Sequence, residues 1–258
     1  MPRPAPDTYR KSWAEAPPGF FAVEAAGLRW LAEGAAVRGT RVVAVHEVGQ
    51  THIELDRLVP VGETARAAEK LGRSLARLHG AGAPAFGSPP PGWHGDAWIG
   101  RQPQSNDPTP TWGEFYAEQR VRPFVRRAVE AGSLDLEGAR LVERVCDRIA
   151  AGEHDDGRPP ARIHGDLWAG NVVFTDRGAV LIDPAAHGGH GLTDLAMLAL
   201  FGVPWLDRLG DAYAEVAGLE VAWRPLMSLH QLHPLATHAA SQGPAYAGQL
   251  VEAARRWS

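Results

Sequence analysis

The pattern of apolar and polar positions divides this chain into a short N-terminal part with strand periodicity and a longer part dominated by helical periodicity. Alternation typical of strands occurs at residues 7–13, 41–47 and 52–58. Apolar stripes with helical spacing occur at residues 20–33, 64–79, 112–130 and 135–151. From residue 194 onward the pattern predicts helices that are interrupted by prolines. Strands are therefore expected mainly near the N-terminus, and helices dominate the remainder.

An irregular segment, residues 84–112, lies between two of the predicted helices. It holds seven prolines and shows no sustained periodicity, but it also carries Trp93, Trp98 and Trp112. Long loops in compact domains are commonly functional lids or disordered linkers, and three large aromatic residues argue against disorder. We expect a lid or ligand wall here; a wrap with a purely structural role is the alternative.

Residues 164–185, with the sequence HGDLWAGNVVFTDRGAVLIDPA, carry the candidate chemistry. Two strand-like runs at residues 172–174 and 179–182 flank the turn residues 175–178, and this arrangement predicts a hairpin. The residues that precede and follow the hairpin are then brought together at its open end.

A magnesium site is predicted at that open end. If the turn centres near Arg177, Asn171 and Asp183 are each six residues away and emerge side by side. One amide oxygen and one carboxylate suit Mg²⁺, which takes few protein ligands and fills its remaining positions with phosphate and water. We therefore predict Asn171 and Asp183 as metal ligands.

A possible catalytic base, Asp166, stands five residues before Asn171 in a loop whose glycines allow tight turns. The spacing D-x-x-x-x-N is that of the kinase catalytic loop, in which the Asp accepts the proton of the substrate hydroxyl. We therefore predict that Asp166 deprotonates an alcohol and that His164 supports the loop by a hydrogen bond. The alternative is that the acidic residues are ordinary turn and cap residues. Their combination favours phosphoryl transfer.

The N-terminal part supplies a second signature. Glu24 falls within the apolar stripe of the helix predicted at residues 20–33, and a buried carboxylate needs a partner. The preceding strand carries Lys11, one of only two lysines in the chain. A strand Lys paired with a helix Glu is the device by which kinases position Lys against the phosphates of ATP. A solvated Glu24 at the edge of the stripe is the alternative.

Composition excludes several classes of function. The chain has 258 residues with a net charge of −4, which gives no general attraction for nucleic acid. It has no apolar run of the roughly 18 residues that a membrane span needs and no signal peptide, so we expect no membrane partner and a cytoplasmic location. The one cysteine, Cys146, excludes an internal disulfide.

These motifs resemble the fructosamine kinase (ketosamine 3-kinase) family of the protein-kinase-like superfamily. The resemblance rests on the runs HGDLWAGN, LIDPAAHGGH and TDLAMLALFG, on the loop around Trp98 and on the helix that begins WGEFYAEQR. It extends over residues 8–250. It implies that Trp98, Trp168 and His190 contribute to the acceptor site. By the same analogy Asp194, which the sequence alone explains as a helix cap, braces the catalytic loop.

The resemblance also implies a fold and a reaction. The fold is α+β and two-lobed, with a small β-rich N-lobe at residues 1–58 and a larger, mostly helical C-lobe at residues 59–258. A hinge at residues 55–58 binds adenine, which assigns Asp56, Arg57 and Leu58 to the ATP site. The reaction transfers the γ-phosphoryl group of ATP, with Mg²⁺, to the 3-hydroxyl of a ketosamine that is either a small molecule or bound to a protein.

Two departures from the family leave alternatives open. The family has a Gly-rich hairpin before the lysine strand, but only ten residues precede Lys11 and none is glycine. We expect that the natural chain begins upstream of Met1; otherwise ATP is bound without this cover. The C-terminal helix carries Thr237 where the family commonly has Asn. A kinase for another alcohol, such as an aminoglycoside, and a degenerate kinase fold without turnover are the alternative functions.

Overall fold

The N-terminal part of the computed structural model, which describes residues 7–220 and 223–258, is a small sheet with one helix packed on it. Its elements are β1 (Thr8–Ser12), α1 (Phe20–Ala32), β2 (Arg41–Val42), β3 (Val45–Val48) and β4 (His52–Asp56). Strands β1, β4 and β3 pair in that order, all antiparallel, and Lys11 lies opposite Ile53. Residues 1–6, on which part of the prediction about the Gly-rich hairpin falls, lie outside the described residues.

The apolar face of α1 covers this sheet because its buried positions follow the helical spacing that the sequence predicts. Phe21, Ala25 and Leu28 of α1 form a core cluster with Ile53 and Leu55 of β4. Alternate residues of β4 point inward, as expected for a strand with one buried face. The packing fixes α1, and with it the side chain of Glu24, against the strand that carries Lys11.

The middle of the chain is largely helical and contains one small hairpin. Its elements are α2 (Ala65–Gly80), β5 (Ala97–Ile99), β6 (Gln102–Gln104), α3 (Trp112–Phe115), a π-helical turn (Tyr116–Val121), α4 (Arg122–Glu130) and α5 (Leu136–Ala150). Helix α2 begins where the Thr64 side chain accepts the N–H of Ala67, an N-cap interaction. The hairpin β5–β6 lies inside the segment that the sequence predicts to be irregular, so that prediction is wrong for residues 97–104. Strands β5 and β6 have only three residues each, and β6 contains a proline, so the sequence there shows no alternation of apolar and polar positions.

The last part holds the segment with the candidate chemistry and five helices. Its elements are β7 (Ala161–Ile163), β8 (Val172–Thr175), β9 (Gly178–Leu181), β10 (His187–Gly189), α6 (Gly191–Phe201), α7 (Leu206–Ala217), α8 (Trp223–His230), α9 (Leu232–Gln242) and α10 (Pro244–Arg255). The hairpin β8–β9 has the predicted position. No helix in the described ranges is long and apolar enough to cross a membrane.

The two parts of the chain share a strand pairing that the sequence does not reveal. The run predicted as one strand at residues 41–47 is split into β2 and β3, and β2 pairs in parallel with β9. Val180 of β9 is buried in the core cluster of the N-terminal part. The small sheet and the hairpin are therefore anchored to each other. The α+β architecture, with a small β-rich part and a larger helical part, is confirmed, whereas the boundary at residue 58 stays a prediction.

The close packing of α2 against α7 generates a stability prediction. A Cβ on Gly72 of α2 would overlap the backbone carbonyl of Leu209 in α7, so the helices would have to separate. We expect Gly72→Ala to lower the free energy of unfolding by about 1–3 kcal/mol, the usual cost of overpacking.

The matched control is Gly248→Ala in α10, where a Cβ meets no atom within 4 Å. Because alanine has a higher helix propensity than glycine, we expect the free energy of unfolding of this variant to rise by about 0.5–1 kcal/mol. Urea denaturation of both variants measures the two effects. A Gly72→Ala protein as stable as Gly248→Ala would contradict the packing.

Candidate active site

A cleft of about 250 Å³ opens between the small sheet with α1 and the hairpin β8–β9. Seven of the residues singled out from the sequence line it: Lys11, Glu24, Trp98, Asp166, Trp168, Asn171 and Asp183. These residues come from distant parts of the chain, and the fold brings them to one place.

Lys11 joins the two sides of the cleft. Its Nζ lies 3.0 Å from Oε2 of Glu24 on α1 and 3.2 Å from Oδ1 of Asp183, which follows β9. Burial raises the pKa of Glu24 to about 7, although Lys11 opposes the shift. Burial by itself would lower the pKa of Lys11, but the two carboxylates raise it above its ordinary value. The ammonium therefore stays charged and is held at the mouth of the hairpin.

Asn171 and Asp183 lie at the open end of the hairpin, offset by one position from the predicted register. The ladder pairs Val172 with Leu181, so the turn contains only two residues and Asn171 stands opposite Ile182. Asn171 nevertheless reaches the next residue, because its Nδ2 lies 3.4 Å from the carbonyl oxygen of Asp183. Asp183 has a φ of 53°, a left-handed conformation that is uncommon for residues other than glycine and is often found at functional sites.

The donor set at this position fits a divalent cation. The Nδ2 group of Asn171 donates to the carbonyl and carboxylate oxygens of Asp166, and among residues 7–220 and 223–258 no hydrogen bond to its Oδ1 is formed. Across residues 7–220 and 223–258, no group of three or more His, Cys, Asp or Glu side chains is arranged to hold a metal. One amide oxygen and one carboxylate are instead the few protein ligands that Mg²⁺ takes when phosphate and water complete its shell.

Asp166 lies in a loop that is folded tightly by glycine. Gly165 has a φ of 81°, and a Cβ there would overlap the carbonyl of Ala185, so only glycine suits this position. Burial raises the pKa of Asp166 to about 6, although the hydrogen bond from Asn171 opposes the shift. A half-buried carboxylate with a raised pKa that faces a cavity is a suitable proton acceptor.

A buried relay of hydrogen bonds holds this loop. The carboxylate of Asp194 on α6 accepts the backbone N–H groups of His164 and Gly165 at 2.8 and 2.9 Å. His79 Nε2 lies 3.0 Å from Asp194, and its Nδ1 lies 2.8 Å from the hydroxyl of Tyr213. Burial alone would raise the pKa of Asp194, but His79 and the backbone donors lower it. Sequence reasoning missed His79 and Tyr213 because nothing local distinguishes them from packed helix residues.

His164 ties the loop to the end of β9. Its ring Nε2 lies 2.8 Å from the carbonyl oxygen of Ile182, and its Nδ1 accepts the N–H of Asp166 at 3.3 Å. These two bonds require a proton on Nε2 and none on Nδ1, and burial lowers the pKa of His164 accordingly. His164 thus occupies the predicted supporting position.

Four residues predicted to bind ATP or the acceptor, Asp56, Arg57, Leu58 and His190, do not line the cleft. Asp56 ends β4, and the N–H of Arg57 donates to the carbonyl of Asp7 at 2.8 Å, so the predicted hinge at Asp56, Arg57 and Leu58 lies beside β1. His190 is the N-cap residue of α6, and its Nε2 lies 3.2 Å from Oδ2 of Asp156. The structure does not bring His190 to the acceptor side, because the chain turns away into α6 immediately after β10.

A second cavity of about 690 Å³ adjoins the cleft, and Asp166, Trp168 and Gly100 line both. Its far wall comes from α9 and α10, with Thr237, Ser241 and Tyr246 among the lining residues. The sequence offered only a weak signal for this wall. Thr237 and Ser241 are four residues apart, but an isolated polar pair on a helix is ordinarily a solvated one.

Comparisons with known proteins agree on one family. The family model described as fructosamine kinase matches residues 8–256. A Thermus thermophilus protein named "probable ketoamine kinase" is 33% identical over 94% of this chain and 84% of its own length. A crystal structure from Thermobifida fusca, provisionally described as a fructosamine-3-kinase, is 47% identical, with a TM-score of 0.86 over 96% of this chain and 84% of that one.

A more distant likeness bears on the fold alone. The crystal structure of an aminoglycoside phosphotransferase superposes with a TM-score of 0.61, covering 96% of this chain and 86% of that one, at 16% identity. The protein-kinase-like fold therefore does not by itself identify the acceptor.

The relay behind the loop generates a prediction. Asp194→Asn places an NH₂ group where the carboxylate accepts backbone N–H donors, so a buried donor loses its acceptor. We expect a loss of about 3–5 kcal/mol in the free energy of unfolding, the usual cost of breaking a buried charged network. Asp176→Asn, in the exposed turn between β8 and β9, is the control with the same chemical change. Equal stability of the two variants would show that Asp194 does not hold the loop.

Proposed function

This chain belongs to the fructosamine kinase family and is an ATP-dependent kinase, and we propose that it phosphorylates a hydroxyl of a ketosamine. The observation that carries the assignment of roles is the convergence of Lys11, Asp166, Asn171 and Asp183 on one cleft. In a kinase these are the groups that neutralise phosphate charge, hold the metal and accept the proton of the acceptor.

Lys11 binds the phosphates of ATP. Its ammonium is already aimed into the cleft by Glu24, and an ammonium that keeps its charge attracts phosphate oxygens. Glu24 acts through Lys11: it fixes the side chain and compensates the buried charge. This division of roles follows from the burial of Glu24 and the position of Lys11 between two carboxylates.

Asn171 and Asp183 are the residues that would hold Mg²⁺. The ion supplies charge neutralisation for the transferring phosphoryl group and orients it. The left-handed backbone of Asp183 turns its carboxylate toward Lys11 and the cleft, which supports this assignment.

Asp166 is the proton acceptor of the transfer. It lines both the cleft and the adjoining cavity, so a hydroxyl placed between the two spaces would meet its carboxylate. Asp166 orients the hydroxyl and takes its proton while the oxygen bonds to the γ-phosphorus and the bond from that phosphorus to the bridging oxygen of ADP breaks. The relay through Asp194 keeps the loop in place and stays outside the chemistry.

The adenine contact is proposed at the end of β4. The N–H of Arg57 is already engaged by Asp7, and its side chain donates to the carbonyl of Thr8. Because the N–H of Asp56 likewise donates to the carbonyl of Ala44 at 3.0 Å, we favour the carbonyl of Asp56 and the backbone of Leu58 for adenine and give Arg57 a structural role. The acceptor is a small-molecule or protein-bound ketosamine; the cytoplasmic location and the lack of a nucleic-acid partner stay predictions from the sequence.

The base assignment is tested with Asp166→Asn. The amide cannot accept the proton, so we expect kcat to fall by about 10²–10⁴-fold in an assay of ADP release with ATP, Mg²⁺ and a ribulosamine or fructosamine. Asp176→Asn is again the control. Activity of Asp166→Asn within threefold of the unsubstituted protein would reject the assigned base. Running aminoglycosides beside the ketosamines tests the other acceptor class, and the absence of turnover with every acceptor would favour the degenerate kinase.

The role of Glu24 is tested with Glu24→Gln, which removes the charge that holds Lys11. Because a charge-assisted hydrogen bond is worth about 1.5–3 kcal/mol, kcat/KM for ATP should fall by roughly ten- to a hundredfold. Glu33→Gln, just beyond the end of α1, is the control, since Glu33 pairs only with Arg162 among the described residues. Unchanged ATP kinetics for Glu24→Gln would show that Lys11 is positioned without Glu24.

A further inference from the structure

We infer that the acceptor is a ketosamine that carries a carboxylate or phosphate group, and that Arg101 binds this anionic group while the sugar hydroxyls meet Thr237. This inference rests on the proposed function and names the class of ketosamine. It comes from the second cavity, which adjoins Asp166 but is lined on its other sides by residues that the phosphoryl transfer does not use.

The second cavity is large enough for an open-chain or cyclic sugar with an amine substituent. Its volume of about 690 Å³ falls within the usual range for small-molecule sites. Trp168, with 44% of its side-chain surface exposed, and Phe201 and Tyr246 provide apolar faces. The reactive hydroxyl lies at the Asp166 end, so the amine substituent extends toward the other walls.

Arg101 and Asp166 are the formally charged residues that line this cavity. The remaining polar groups are neutral side chains: Gln102, Thr237, Ser241, Gln242 and His238. The ring of His238 donates to the carbonyl of Pro234 at 2.7 Å through Nδ1, and burial lowers its pKa. The positive end of the cavity is therefore Arg101, and it is separated from the negative end at Asp166.

Arg101 is exposed and stacks on Trp13, and its hydrogen-bonding groups are free to bind a ligand. It forms a two-residue turn with Gly100 between β5 and β6, and the φ of 57° at Gly100 suits the first position of such a turn. Its guanidinium carbon lies 4.6 Å from the ring centre of Trp13. Within residues 7–220 and 223–258, no carboxylate or carbonyl pairs with it. One face of the guanidinium is covered by Trp13, and its edge can bind a carboxylate or phosphate in a bidentate manner.

The wall that carries Arg101 is held by polar contacts deeper in the C-terminal part. Gln102 donates to the backbone carbonyl of Thr237 at 3.0 Å. The buried Arg120 of the π-helical turn donates to Ser105 and Asn106, just after β6. Because these bonds fix β6 and the residues that follow it, the strand next to Arg101 is held in place.

Thr237 provides the independent observation that points to a ligand. Its side chain is 5% exposed, it lines the cavity, and its hydroxyl has no hydrogen-bond partner among the described residues. Its backbone carbonyl is saturated by Gln102 and Ser241. A buried hydroxyl without a hydrogen-bond partner lowers the free energy of unfolding unless a ligand or a water molecule forms a hydrogen bond with it. The polyol of a sugar supplies hydroxyl groups that can do so.

The chemistry of ketosamines decides what Arg101 would select. A ketosamine formed from a free amino acid carries a carboxylate close to the nitrogen, and one formed from a sugar phosphate carries a phosphate on the sugar. A ketosamine on a lysine side chain within a protein carries neither on its own atoms. Arg101 therefore favours low-molecular-weight ketosamines that carry a carboxylate or phosphate group.

The test compares three ketosamines of one ketose: that of glycine, that of glycinamide, and the 6-phosphate of the glycinamide compound. Kinetics are measured for the unsubstituted protein and for Arg101→Met, Thr237→Val and Arg140→Met, the last changing an exposed arginine on α5 as a control. We expect at least one of the two compounds that carry an anionic group to have a KM about tenfold below that of the glycinamide compound, which has none. In Arg101→Met the KM values of the three compounds should become nearly equal. In Thr237→Val every KM should rise by a similar factor of about 2–10.

The outcomes separate the inference from the proposed function. A lower KM for the glycine compound identifies an amino-acid ketosamine, and a lower KM for the phosphate identifies a sugar phosphate. Equal KM values for all three compounds, or an Arg101→Met ratio equal to that of Arg140→Met, would overturn the inference while leaving ketosamine phosphorylation intact. If no ketosamine is phosphorylated, the proposed function fails, and calorimetric titration of the same three compounds still decides whether Arg101 binds the anion.

Discussion

The ammonium of Lys11, placed between the carboxylates of Glu24 and Asp183, is the interaction on which the rest of the site depends. Lys11 lies on β1 and pairs with a carboxylate of α1 and with one that follows β9. A single ammonium group therefore links the two sides of the cleft. Burial makes the Glu24 carboxylate costly without a cation, and Asp183 adds a second, more exposed carboxylate beside Lys11. The cleft therefore holds a positive charge beside the two residues proposed as metal ligands and the carboxylate proposed as proton acceptor, an arrangement that suits phosphate.

The hairpin β5–β6 has a comparable importance on the acceptor side. Gly100, in its turn, lines both cavities, Trp98 packs on Phe20 at the start of α1, and Arg101 stacks on Trp13 in the segment between β1 and α1. The wall of the proposed acceptor cavity is therefore in direct contact with α1, the helix whose Glu24 holds Lys11.

The features that were predictable from the sequence are those encoded by local spacing. The interval from Asp166 to Asn171, the hairpin that follows it and the apolar stripe around Glu24 each lie within a few turns or strands, so periodicity reveals them. The pairing of β2 with β9, the His79–Tyr213 relay and the Thr237 wall join residues that are far apart in the sequence. No local pattern marks such contacts, and the short strands β5 and β6 are too brief to show alternation. His190, which the resemblance assigns to the acceptor site, lines neither the cleft nor the second cavity.

The most direct test of the central claim is a crystal structure of the protein with a non-hydrolysable ATP analogue, Mg²⁺ and a ketosamine. The account predicts a metal ion about 2.0–2.1 Å from oxygens of Asn171 and Asp183. It also predicts a sugar hydroxyl within about 2.6–3.2 Å of the Asp166 carboxylate. A metal held by other residues, or an acceptor bound away from Asp166, would contradict it.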